Sequence, residues 1–488
     1  MNPLDKIIEE RRKKLNFLIK KGYQPYSSIT TPISPISGII KHFIQLTRNK
    51  ERVAVAGRIM GLRQQGGLIF IDLVDQSGKL QGIFQKKTLS DFDLLKKTLD
   101  IGDFIVLSGK TYKTKRGEKS LDAISAQIIT KSLRPLPSTW YGLKDIEERY
   151  RKRWLDLIFN KEVKDIFVKR TKIIETLREI LKQEGFLELE TPVLQPLAGG
   201  AAARPFETHL NALDLDLYLR IAPELYLKRV LVGGFEKIFE LGKNFRNEGI
   251  DREHNPEFTM LELYWAYQNY QGLMNFVEKI FMKLLVNLKI KQFSVANKKI
   301  NLKRPWKRIT FEKIIKKYTG LDINKSDIKE IYKFLESENI SYEKNLEKFE
   351  LFDLIFKKVV RKNIISPIFV VDYPKEISPL AKAKEIQKNL AERFQLIIGG
   401  LELVNGFSEL NDPLDQRERF KYQERRRQAG NLETAPFDED FLEALEYGMP
   451  PAAGLGLGID RLVMLLTGTN SLREVILFPT MRSRSQSV

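Results

Sequence analysis

From Arg52 onward the chain breaks into five short runs whose apolar residues recur at about every second position: RVAVAGRIMGLR, GLIFIDLVD, KLQGIF, DFIVLSGKTYKT and SLDAISAQII. Period two is the pattern of a strand with one face on a core. Turns such as Gln76-Ser77-Gly78 and Lys115-Arg116-Gly117 separate the runs. Five short strands with Gly-rich turns predict a small β-barrel, with the OB-fold as the leading candidate.

A second periodicity takes over further along. SLRPLPSTWYG reads as a Pro-rich linker. After it, Val163, Ile166, Phe167, Ile173, Ile174, Leu177, Ile180 and Leu181 follow helical spacing, which predicts an amphipathic helix over 163–184. Gly185 supplies its left-handed cap and Phe186 closes it. Strands alternate with turns over 187–265, a lysine-rich and largely helical section spans about 271–362, and strands then resume. The N-terminus predicts a charged helix over 3–22 with Ile7, Ile8, Leu15 and Leu18 as a thin apolar stripe. The expected plan is therefore an N-terminal helix and connection (1–50), a barrel (51–134), a linker (135–152) and a large α+β domain (153–488).

Composition narrows the chemistry. There is no Cys, and the three His residues, His42, His209 and His254, do not lie at ligand spacing. Thiol nucleophiles, thiolate zinc sites and Ser–His–Asp hydrolysis are thereby disfavoured. A catalyst built from Arg, Glu, backbone groups and Mg²⁺ has the toolkit of phosphoryl or nucleotidyl transfer. The net charge of +19 favours a polyanionic partner, although scattered surface lysines account for about half of that signal on compositional grounds. No apolar run approaches the roughly 20 residues of a membrane span, and MNPLDKIIEERRKK is too charged for a signal peptide. A cytoplasmic location without membrane attachment is the expectation.

Three segments carry the chemistry. In EFTMLELYWAY, period two puts Phe258, Met260, Glu262 and Tyr264 on one face, an odd floor for a core. Arg246 and Glu248 stand at the entry of the preceding loop, and His254 and Asn255 lie within it. In LELVNGFSELND, Asn405, Phe407 and Glu409 share a face, whereas Glu402 has the opposite parity and joins them only through a bulge. Buried carboxylates of this kind predict a bound cation, either Mg²⁺ or an ammonium. In AGLGLGIDRLVMLL, Arg461 stands at a helix start where guanidinium and helix dipole converge on one anion. A salt bridge to a neighbouring Asp is the competing reading.

Together these segments resemble the three signature motifs of class II aminoacyl-tRNA synthetases. GGAAARPFETHLNALDLDLYLRIAPELYLKR, FRNEGIDREHNPEFTMLELYWAY and NGFSELNDPLDQRERF are similar to the bacterial-type lysyl group, and the similarity runs from about residue 50 to residue 484. The resemblance implies a six-stranded antiparallel sheet flanked by helices, with an OB-fold that reads the anticodon. It also implies ATP-dependent formation of lysyl-adenylate and transfer of lysine to tRNA(Lys). Arg246 would contact the α-phosphate and carboxylate region, and Arg461 the distal phosphate. Phe258 would stack on adenine and Glu248 would accept from its amino group, with His254 and Asn255 in the same loop. Gly200 and Glu224 would hold the α-ammonium, and Glu262, Tyr264, Asn405, Phe407 and Glu409 would line the side-chain pocket. A pocket for aspartate or asparagine would want Arg or Lys, and none is expected there. Glu402 matches a Mg²⁺ ligand, while Gln395, in RFQLI, stands where the family usually has Glu in RFELF; a raised Mg²⁺ requirement follows. Arg58, Phe70, Gln81 and Glu118 fall at the anticodon contacts, Phe70 being either a stacking platform or core. The 163–184 helix and Pro192 match the motif that builds a homodimer. A lysyl ligase acting on protein, a catalytically dead RNA-binding relative, and aspartyl or asparaginyl specificity are the rival readings.

Overall fold

The computed structural model describes residues 2–483 apart from 30–31, 138–144, 296–297, 344, 432–433 and 435. Residues 138–144 of the expected Pro-rich linker therefore lie outside the described residues. The chain divides into two compact units, 1–144 and 145–488.

In the first unit, strands Arg52–Gln65, Leu68–Val74, Lys79–Gln85, Phe104–Lys113 and Lys119–Thr130 close into a barrel. The predicted alternation fills its interior with Val55, Ile59, Ile69, Ile71, Leu73, Ile105, Leu107 and Leu121. Phe70 stands between Ile69 and Ile71 and so faces outward, which removes the core reading. The N-terminal helix, Pro3–Lys20, departs from the expected apolar stripe: Ile7 is exposed, and Leu18 is buried. Much of its anchoring is polar. Arg11 is buried and donates to the carbonyls of Ile101, Ser132 and Arg134. Short helices Ile36–Lys41 and Phe43–Arg48 occupy the end of the segment expected to be a plain connection.

The second unit is built on eight strands. Across the sheet they run Lys307–Thr310, Ile368–Pro374, Leu390–Ile398, Leu401–Ser408, Ala452–Gly458, Glu257–Ala266, Lys237–Phe245 and Leu187–Glu188. The inner six are antiparallel, as expected, but the two short end strands pair parallel with their neighbours. Each end strand is joined to its partner by a long crossover, which parallel pairing requires. The helix Lys161–Gln183 forms over nearly the predicted range, and Gly185 takes φ +85° so that Phe186 N–H reaches Leu181 O. Ile173, Leu177, Ile180 and Leu181 pack with Leu261, Leu263, Leu455 and Leu457 of the sheet and with helix Tyr270–Asn287. At roughly 1.5–3 kcal/mol per fully buried large apolar side chain, this layer is what holds the sheet flat side to helix. The 271–362 section is helical in four pieces but also contributes the edge strand Lys307–Thr310.

Candidate active site

On the sheet face opposite that helical layer lies a cavity of about 330 Å³, within the usual range for small-molecule sites. Its floor follows from strand alternation. In Glu257–Ala266, Leu261 and Leu263 go to the core, leaving Phe258, Met260, Glu262 and Tyr264 on the cavity. The neighbouring strand pairs Gly458, Gly456 and Gly454 directly with Met260, Glu262 and Tyr264. The glycine pattern thus clears space: a Cβ on Gly454 would come within 2.4 Å of Glu409 Oε1 and 2.5 Å of the Tyr264 ring. A bulge settles the parity of Glu402. Leu396 pairs with Val404 and Ile397 with Glu402, so Leu403 is the extra residue. Leu403 and Val404 both enter the core, and Glu402, Asn405 and Phe407 all line the cavity.

At one end of the cavity are arginines. Arg246 lies over the Phe258 ring, 5.1 Å from its centroid, and its buried Nε has no hydrogen-bond partner. Burial disfavours its charge and nearby Glu248 supports it, yet a guanidinium stays ionised. Arg461, in the first turn of helix Ile459–Thr467, donates to Glu402 O at 3.0 Å and meets His254 Nε2 at 3.2 Å. Since Arg can only donate, Nε2 accepts and Nδ1 carries the proton toward Asp251, 2.9 Å away. The competing salt bridge is not formed by Arg461: the adjacent Asp460 is taken by Arg170 at 2.6 Å. Glu248 lines the mouth, exposed, and Asn255 is buried with its Oδ1 unpartnered.

At the other end are carboxylates. Gly200 takes φ +87° against Glu224, whose Oε1 accepts from Lys228 Nζ at 2.7 Å. Glu262 Oε2 accepts from Tyr264 Oη at 3.0 Å. Burial, reinforced by Glu224, pushes the Glu262 carboxyl up to about 8. Glu409 does not line the cavity as expected. It is buried just behind it, with Oε2 2.5 Å from Lys228 Nζ and Oε1 without a partner. Burial raises its carboxyl and Lys228 opposes the rise. The expectation that neither Arg nor Lys stands here is also corrected: Lys228 does, with both its ion pairs internal, and so does Arg393, which lines the cavity.

Gln395 is absent from the cavity lining and accepts from Tyr373 Oη at 2.9 Å. Among the described residues no group of three or more His, Asp or Glu is arranged to hold a metal ion. Glu402 offers a single carboxylate, a donor set that fits Mg²⁺ only when phosphate oxygens complete its shell.

On the barrel, Gln81 is buried and accepts from Ser120 Oγ at 2.9 Å, while Glu118 is exposed. Arg58 is committed elsewhere: its guanidinium sits over Phe104 at 4.3 Å and donates to Gly102 O. The exposed arginine directly across the ladder from Phe70 is Arg63. Arg63, Lys228 and Arg393, which lines the cavity and donates to Asn405 Oδ1 at 3.0 Å, were not among the expected site residues. The i,i+4 pairing of Glu224 with Lys228 and the two-residue spacing of Arg393 from Gln395 were the available signals.

Comparison with known proteins fits this geometry. Residues 145–482 match the family described as tRNA synthetases class II (D, K and N), and residues 53–135 match the OB-fold nucleic acid binding domain. A lysine–tRNA ligase of Carboxydothermus hydrogenoformans is 49% identical over 488 residues, covering 99% of each chain. One of Clostridium tetani is 48% identical, covering 98% of this chain and 96% of its own. Lysine–tRNA ligase 2 of Methanosarcina mazei is 46% identical over 97% of this chain and 94% of its own. With matches across the sheet, its cavity and the barrel, this chain belongs to the class II tRNA synthetases of the D, K and N group.

Proposed function

We propose that the chain is a lysine–tRNA ligase, which joins L-lysine to ATP as lysyl-adenylate, releases pyrophosphate, and passes the lysyl group to the 3′-terminal ribose of tRNA(Lys). The observation that carries this reading is the carboxylate end of the cavity. Glu224, Glu262 and Glu409 converge there with one buried ammonium among them, and Glu409 Oε1 has no donor. An unpaired buried carboxylate oxygen is costly, so the site is built to receive a cation. Phe407 and the Tyr264 ring supply apolar walls for methylenes, and the Tyr264 oxygen can accept from an ammonium while donating to Glu262. Acidic substrates would meet repulsion in this slot.

Gly200 and Glu224 hold the α-ammonium in this reading and Tyr264 the far one, with Glu262 and Asn405 beside it; Glu409, buried behind Gly454, is reached through the gap where that glycine has no Cβ. The substrate carboxylate is already ionised, so no general base is needed. Arg246 steers it in line with the α-phosphorus: one carboxylate oxygen bonds to phosphorus as the bridging bond to pyrophosphate breaks. Phe258 carries the adenine ring, Glu248 accepts from its amino group, and Asn255 completes the loop. Arg461, steadied by His254, draws the distal phosphates. Glu402 and the ATP phosphates would hold Mg²⁺, which would supply charge neutralisation for the departing pyrophosphate. Gln395, bonded to Tyr373 outside the cavity lining, takes no part, so the raised Mg²⁺ requirement expected from it does not follow.

The barrel presents Phe70, Arg63 and Glu118 to the anticodon, with Gln81 buried beneath them and bonded to Ser120. Exposed Leu187, Val193 and Leu194, at and just beyond the short edge strand, suit a homodimer seam. No helix among the described residues is long and apolar enough to cross a membrane, and work on tRNA places the enzyme in the cytoplasm. ATP–pyrophosphate exchange with each of the twenty amino acids tests the reading. Lysine alone should support exchange; faster exchange with aspartate or asparagine would refute it.

A further inference from the structure

Lys228 is fully buried, one helical turn beyond Glu224 on helix Glu224–Val232. Its Nζ lies 2.7 Å from Glu224 Oε1 and 2.5 Å from Glu409 Oε2, and over the Phe407 ring at 5.3 Å from the centroid. Two carboxylates and an aromatic face thus satisfy the three donors of an ammonium. Glu224 and Phe407 line the cavity, but Lys228 does not, so no substrate atom is needed to explain its contacts.

We propose that Lys228 is a positioning residue that sets which length of diamino acid the slot accepts. Resting on the lysine reading above, the inference adds how the two ends of the slot are kept in register. One nitrogen binds one oxygen of each carboxylate and leaves the other oxygen of each free for substrate. Glu409 Oε1 is such an oxygen, buried and unpartnered beside Gly454. The spacing between the α-ammonium site and the far ammonium site is then fixed by a side chain that touches neither. Charge matching points the same way. Once an arriving ammonium has ionised Glu262, the three carboxylates and the one internal lysine leave two negative charges, and the substrate brings two ammonium groups. Without Lys228, one of the carboxylates would take up a proton or swing toward its neighbour's partner, and the slot would lose its measure of length.

The test uses the full chain and pyrophosphate exchange, with lysine and ornithine compared and ATP varied separately. For Lys228→Met we expect a lysine KM raised at least about 30-fold and a lysine-over-ornithine preference reduced at least about tenfold, the scale of one methylene in a specificity pocket. The KM for ATP should stay within about twofold, because the arginine end is untouched. A folded Lys228→Met protein with unchanged preference overturns the proposal. Should that variant not fold, Lys228→Arg keeps the charge but moves its centre, and it is read by the same ratio; an unchanged ratio again overturns it. Glu409→Gln separates the two levels of inference. If lysine KM is unaltered there, the slot itself has been misread; if it rises, the slot stands and the Lys228 result judges the positioning role alone.

Discussion

On the barrel, Phe70 and Arg63 stand side by side on an outer face, each reachable by solvent and tied to little else. At the cavity, Tyr264 donates to Glu262 while Lys228 pairs with Glu224 and Glu409, and the two groups lie close enough for their charges to act on one another. Strand alternation places Phe70 and Arg63 on the barrel and Glu262 and Tyr264 on the sheet, whereas Glu224 and Lys228 come from one face of a helix. The two arrangements differ in coupling: barrel residues should act nearly independently, whereas residues of the slot share charge and space, so a change at one is felt by all.

The largest effect should follow from filling space in the slot. Gly454→Ala places a methyl against backbone-anchored Tyr264 and against Glu409 Oε1, at separations that real Cβ atoms do not tolerate. Lysine-dependent exchange should fall by at least about 100-fold, the scale of a reacting geometry displaced by about 1 Å. Melting should also fall, because the methyl presses on the buried Tyr264 ring, so exchange is compared where the variant is folded. Normal exchange in this variant would mean that substrate and Tyr264 never share that corner.

A smaller and more selective effect is expected on the barrel. Phe70→Ala removes a stacking platform worth about 1–3 kcal/mol per base, so tRNA charging should weaken roughly 5- to 150-fold. Exchange without tRNA should be unchanged. The contrast between the two assays is the measurement, and an equal loss in both would break the independence argued for this face. Arg63→Ala should follow the same pattern more weakly and with stronger salt dependence, while Arg58→Ala should chiefly destabilise the barrel.

These differences also explain what was legible beforehand. Period two in EFTMLELYWAY identified the cavity floor because each strand's faces are fixed by its own residues. The barrel was readable for the same reason, and so was the need for a bulge at Glu402. What stayed hidden depends on neighbours distant in sequence. Beyond its i,i+4 spacing from Glu224, Lys228 carries no signal of its own in the sequence; its role depends on Glu409, from a different part of the chain, lying against it. Arg58 and Arg63 have equal claims along the strand, and only Phe104 across the barrel separates them. The strand at 187–188 is legible in LELE, but the edge strand Lys307–Thr310 is not, because a run of four residues carries too little periodicity to read.

Coupling within the slot has a pH signature. Burial holds the Glu262 carboxyl near 8, so in the empty slot it is protonated at neutral pH. An unfolded glutamate titrates near 4.3, so between that value and about 8 the folded chain holds a proton the unfolded chain has lost; this part of its stability declines as pH rises through the window. Substrate reverses the balance, since an arriving ammonium favours the ionised carboxylate. Lysine binding should therefore release a proton near pH 7, and affinity should rise by up to about tenfold per pH unit up to roughly pH 8, then level off. Calorimetry in buffers of different ionisation heat reads the released proton directly. Glu262→Gln should flatten the slope while leaving ATP binding alone, the remainder coming from Glu409, whose carboxyl burial also raises to about 8 against the pull of Lys228. A pH-independent affinity in the unaltered protein would mean that Glu262 is already ionised in the empty slot, and that water reaches deeper into the sheet than its packing implies.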